Sequence, residues 1–197
     1  FAHDTDAWDM WIEWLKTLPF YIECGDWRAV HASWDYNSLK RLKGKSLLDE
    51  DFLYSSADPS SLDFRAVENV LKGLEVQLPE GVTFEDQNGN LRSEIRVRWW
   101  EVPNGGSYRD IVFPESLSIP DVSVSIVESD EWRQYPKNDS PVFFGHYWIP
   151  AKKSPEPVAV NAACLDYSVA SPEGKLTAYR WDGESELDKE KFVQVCV

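Results

Sequence analysis

The chain has 197 residues, 43% apolar and 27% charged, which is enough length and apolar content for one domain with its own core and argues against disorder. Its 34 acidic residues against 20 basic give a formal net charge of −14, a surface that repels phosphodiester backbones and argues against general nucleic-acid binding. No apolar run approaches the length that spans a bilayer and no secretory leader pattern opens the chain, while the start at Phe1 leaves room for an upstream portion.

Residues 6–18, DAWDMWIEWLKTL, carry Trp8, Trp11, Leu15 and Leu18 on a helical period, with Asp9, Glu13 and Lys16 on the other side. Asp6 is the expected N-cap, Pro19 the stop, and the tryptophans are expected to fill a core. FYIEC and RAVHAS then read as two strands joined by the Gly25-Asp26 turn. A helix is expected over NSLKRLK, with Asp35 as its cap, and another from about Ser61 to Lys72. Residues 74–135 change character, with Pro, Gly and Asn between extended segments, and read as a mostly β insertion or cap. Within it EIRVRWWEV alternates, placing Ile95, Val97 and Trp99 on one face and Arg96, Arg98 and Trp100 on the other. PVFFGH, VAVNAACLDY and KLTAYRW are expected strands, and LDKEKFVQVCV a short closing helix and strand. The three cysteines, Cys24, Cys164 and Cys196, are widely spaced and form no CxxC pair. They read as small core hydrophobes of a cytoplasmic protein.

Three histidines occur: His3, His31 and His146. Two share a context, because RAVHAS and VFFGHYW each end a short apolar strand in a histidine beside small residues. A rigid strand end with room beside the imidazole suits a metal ligand, and sheets collect ligands at the carboxyl ends of their strands. A histidine at a strand end is also a common packing residue. His3, in a polar stretch, is expected to be solvated. Gly145 is expected to let the backbone turn sharply ahead of His146.

In order along the chain, LPFYIECGDWRAVHASWD, LRSEIRVRWWEV, PVFFGHYWIP and NAACLDYSVASPEGKLTAYRWDGE resemble the C-terminal half of a calcineurin-like metallophosphoesterase. The closest branch is the bacterial one of serine/threonine phosphatases and diadenosine tetraphosphatases. The resemblance implies an α/β fold, mixed sheets stacked as a sandwich with helices outside. It implies two divalent metal ions, manganese, iron or zinc, with His31 and His146 as ligands and Asp166 supporting them from behind. It also implies hydrolysis of a small phosphate ester, a dinucleoside polyphosphate or a phosphoprotein by a metal-activated hydroxide. Arg96 and Arg98 are candidates for phosphate contact, with pairing to neighbouring acids as the plain alternative.

The departures matter equally. The family's GDxHG, GDxxDRG and GNHE segments, which bring a bridging aspartate, an asparagine and the catalytic histidine, do not occur, and Tyr147 and Trp148 follow the GH. Two imidazoles without a bridging carboxylate do not make a dinuclear centre, so the chain by itself is expected to be inactive. A non-catalytic relative and an acidic, tryptophan-rich carbohydrate-binding module remain as other readings. Of the tryptophans, Trp34, Trp100 and Trp148 are the hardest to hide and the best placed to stack on a ring-shaped leaving group.

Overall fold

The computed structural model describes residues 5–85, 89–101, 106–116, 118–119, 121–123 and 134–196. His3 lies outside them. Helix α1 (Thr5–Lys16) leads into the hairpin β1 (Tyr21–Cys24) and β2 (Trp27–Val30). Three helices follow, α2 (Tyr36–Leu42), α3 (Glu50–Ala57) and α4 (Leu62–Lys72). Then come the short strands β3 (Glu75–Gln77), β4 (Phe84–Glu85), β5 (Leu91–Arg92) and β6 (Glu94–Arg96), and a single turn of helix, α5 (Tyr108–Ile111). The chain returns through β7 (Val142–Phe144), β8 (Ala162–Cys164), β9 (Asp166–Tyr167), β10 (Lys175–Tyr179) and β11 (Phe192–Cys196). The protein is therefore mixed α/β, with several small sheets and no barrel among the described residues.

The central sheet has the order β1-β2-β7-β8. Its first pair is an antiparallel hairpin in which Gly25, at φ 58°, takes the left-handed position of the two-residue turn. The β2–β7 and β7–β8 pairs are parallel, with Ala29 opposite Phe143 and Phe143 opposite Ala163. Parallel register sends the carboxyl ends of β2, β7 and β8 to one edge. Alternation puts Val30, Val142, Phe144, Ala162 and Cys164 on the face that packs into the main core. Phe144 sits there in an aromatic cluster, with ring centroids 5.0 Å from Trp99, 5.4 Å from Trp100 and 5.5 Å from Tyr147. Helices α2 and α4 close this face, each started by a side-chain cap: Asp35 accepts from the Ser38 N–H and Ser61 from the Phe64 N–H. Helix α3, capped by Asp49, was not anticipated; its eight residues bury only Phe52, too little periodicity to stand out.

The described residues between 74 and 123 build a smaller apolar cluster of their own, centred on Leu78, Ile95, Val97, Ile111, Val112 and Ile119. The alternation read in EIRVRWWEV holds for burial, since Ile95, Val97 and Trp99 are all enclosed. The strand is shorter than expected, and Trp99 and Trp100 lie in a turn, so Trp100 folds into the core beside Trp99. A three-stranded sheet pairs β10 with both β9 and β11.

Helix α1 departs furthest from expectation. It forms on the anticipated period but buries no residue: Trp8, Trp11, Trp14 and Leu15 are all exposed. The apolar stripe is real, and nothing among the described residues covers it. Cys164 is a core hydrophobe as expected, whereas Cys24 and Cys196 are exposed. No helix among the described residues is long and apolar enough to cross a membrane.

Candidate functional site

The parallel pairing of β2 with β7 decides where the two strand-end histidines go. Each continues from its strand into the crevice at the carboxyl edge of the sheet, and the Gly145 N–H donates to the His31 carbonyl at 2.9 Å, extending the ladder one step further. The His31 and His146 ring centroids stand 5.2 Å apart, with planes inclined by 49°. Both border a cavity of about 550 Å³ whose floor includes Ala29 and Phe143. Crevices beyond the carboxyl ends of parallel strands are where α/β sheets bind ligands.

The turn into this cavity is not made as expected. Gly145 does not adopt a left-handed φ, and a Cβ there would meet only Asp166 Cβ at 3.5 Å and the His31 carbonyl at 3.7 Å. The left-handed residues are His146 itself, at φ 72°, and Trp148, at φ 51°. Non-glycine residues rarely hold this conformation, and such strain clusters at working sites. Asp166, at the start of β9, holds the turn in place. Its Oδ2 accepts from the Trp148 N–H and its Oδ1 from the Ser168 N–H, each at 3.1 Å, while its carbonyl accepts from the Ile149 N–H. Asp166 is thus the post against which the His146–Trp148 turn is braced, and it borders the same cavity.

The electrostatics favour neutral imidazoles. Burial, then the Arg96 guanidinium, then His31 push His146 down to about 4, against the pull of Asp166. Burial likewise lowers His31, again opposed by Asp166. Neutral imidazole is the form that ligates a metal, so neither ring has to lose a proton first near neutral pH. The His146 Nε2 is shielded from solvent and has no hydrogen-bond partner among the described residues. A buried polar atom left this way calls for an explanation, and a role for that nitrogen as a ligand is one. The donor set is nevertheless thin. Among the described residues no three His, Cys, Asp or Glu side chains converge closely enough to hold a metal ion.

The remaining sequence candidates divide. Arg96 is close enough to His146 to act on its ionisation and lies 3.4 Å from Glu75. Arg98 is engaged elsewhere, with its guanidinium on the Val112 carbonyl, Glu101 and Glu115. Arg98 therefore takes the plain alternative of pairing with acids. Asp35 is occupied as the cap of α2. Trp34 and Trp100 are buried, at 5% and 4% exposure, and so are withdrawn as stacking surfaces. Trp148 remains, 52% exposed on the cavity rim. Sequence reasoning missed Lys72, which joins Arg96 in the positive field at His146. It sits at the end of α4, distant in sequence, and only the return of that helix to Ala32 reveals it. A second groove, of about 680 Å³, runs along α2 and α4, but its Arg41 and Lys72 are tied to Asp63 and Glu68.

No family model, curated protein or solved structure matches this chain.

Proposed function

We propose that this chain carries part of the site of a metal-dependent phosphoesterase, with His31 and His146 as two of the metal ligands. The observation that carries the reading is the meeting of two imidazoles, 5.2 Å apart, at the ends of adjacent parallel strands. Support comes from their neutral state, the unpartnered His146 Nε2 and the bracing of the turn by Asp166. On this reading the sheets are part of a metallophosphoesterase sandwich, and the carboxylate and amide ligands that a dinuclear centre needs are not supplied by the residues at this cavity.

Divalent ions bound there supply Lewis acidity and an acidified water for attack on phosphorus. The chain's own part is positional. His31 and His146 offer lone pairs without prior deprotonation, and Asp166 fixes the turn that aims His146. Arg96, beside Glu75 at 3.4 Å and outside the residues that line the cavity, acts on His146 at a distance and on this reading adds positive charge toward an anionic phosphate. The metal is manganese, iron or zinc, since histidine-carboxylate sites accept each. Titration of manganese into the chain followed by calorimetry tests the assignment. Weak binding that falls at least tenfold in both His31→Ala and His146→Ala is expected; unchanged binding in either variant removes that residue from the ligand set.

A second reading is favoured by one observation. Arg96 and Lys72 both bear on His146, and positive charge repels a bare cation as it attracts phosphate. On that reading the chain is a non-catalytic relative that holds a phosphate without metal, and phosphate affinity indifferent to manganese is its signature.

A further inference from the structure

The cavity beside the histidines has one wall that no ligand or phosphate contact explains. Trp148 stands two residues beyond His146, half in solvent, although Tyr147 before it and Ile149 after it are both buried. The turn thus sends alternate side chains to different places: the imidazole into the cavity, the tyrosine into the core, the indole onto the rim. A tryptophan at φ 51° is strained, and a glycine or asparagine takes that conformation more readily. The conformation is held from two sides, by the Trp148 N–H on the Asp166 carboxylate and the Ile149 N–H on the Asp166 carbonyl. No other aromatic ring packs against the indole among the described residues, unlike the paired rings of the core. Facing the same cavity are apolar surfaces from Phe143, Leu165, Val169 and Ala170. An indole fixed at its backbone, open on its ring and set in an apolar rim is a stacking platform.

We infer that Trp148 selects phosphate esters whose leaving group carries a planar aromatic ring, which stacks on the indole while the phosphate lies at the histidines. This rests on the phosphoester reading of the site. The cavity, at about 550 Å³, is of the size that takes a small ligand. A nucleobase and a simple aryl group share the required chemistry, and ring-free esters such as glycerol phosphate lack it. Trp148 touches the leaving group and not the reacting atoms, so its loss changes discrimination and leaves recognition of the phosphate intact.

The test is calorimetric titration of adenosine 5′-monophosphate, phenyl phosphate, glycerol phosphate and adenosine into the chain, each with and without manganese. The wild type is expected to bind the two ring-bearing phosphates about ten- to a hundredfold more tightly than glycerol phosphate. Trp148→Ala brings them to the glycerol phosphate level and leaves glycerol phosphate unchanged, while Trp148→Phe retains most of the preference. A preference for the nucleotide over phenyl phosphate assigns the ring as a nucleobase; equal preference assigns it as any aryl group. Equal affinity for ring-bearing and ring-free esters in the wild type, or an equal loss for all in Trp148→Ala, overturns the inference. Failure of the metal reading looks different: manganese then alters no affinity, while adenosine still binds in a Trp148-dependent way.

Discussion

His146 shows how much one residue's surroundings decide. Its left-handed backbone, its burial beside Arg96 and its unpartnered Nε2 each cost stability, and Asp166 is the group that offsets them. The ionisation gives a pH dependence with a definite sign. An unfolded histidine titrates near about 6.5, and the folded one near about 4, so the unfolded state binds more protons between those values. Stability of the metal-free protein therefore rises with pH across that window and falls as the medium is acidified. Chemical denaturation at about pH 4.5 and about pH 7 checks this, and His146→Ala is expected to flatten the slope. Gly145, at the cavity, and Gly174, outside its lining, differ sharply. Gly145→Ala meets only ordinary contacts and is expected to shift stability by less than about 0.5 kcal/mol. Gly174→Ala drives its new carbon into the Ser168 carbonyl, and loss of folded protein on thermal melting is the expected result.

At the scale of elements, the parallel return of β7 beside β2 builds the crevice, and the segment from Tyr135 to Ser140, just ahead of β7, pins that return. Arg28 on β2 reaches Asp139 at 2.6 Å and the Tyr135 hydroxyl at 2.9 Å, and Tyr36 at the start of α2 donates to the same carboxylate. Burial opposes ionisation of Asp139, but hydrogen bonds from Arg28, Tyr36 and the Ser140 N–H outweigh it and hold the carboxyl below its usual range. Asp139→Ala leaves Arg28 with Glu23 at 3.1 Å and the Tyr135 hydroxyl, removes the acceptor of Tyr36, and is expected to cost about 1–2 kcal/mol by denaturant melt. The contrast with α1 is large. Trp11→Ala on that uncovered helix is expected to cost less than about 0.5 kcal/mol, whereas Phe144→Ala at the centre of the core costs about 3–5 kcal/mol. The period of α1 was legible in its sequence, because side-chain spacing alone sets it. Its exposure was not, because an apolar stripe states that something is to be covered and not by which surface. Likewise the strand-end histidines were legible as a pair, since RAVHAS and VFFGHY share a pattern. The left-handed turn at His146 was not, because the neighbouring glycine offered the more economical explanation. Trp34 and Trp100 were misjudged for another reason: their burial depends on contacts with residues distant along the chain, Tyr21 and Phe113 among them.

Taken whole, the molecule is a small mixed α/β body with a formal net charge of −14, and Arg96 and Lys72, each beside an acid, are the basic groups that act on His146. The expected class of fold, α/β, is the one the chain forms, while the sandwich and the dinuclear centre remain with the proposal. On the proposed reading, His31 and His146 serve one ion. The most direct measurement is the relaxation of their imidazole resonances in an NMR titration with manganese at neutral pH. Both sets are expected to broaden together at substoichiometric metal, zinc to shift them together without broadening, and Asp166→Asn to weaken both responses. Imidazoles that broaden at different metal concentrations, or not at all, contradict that reading.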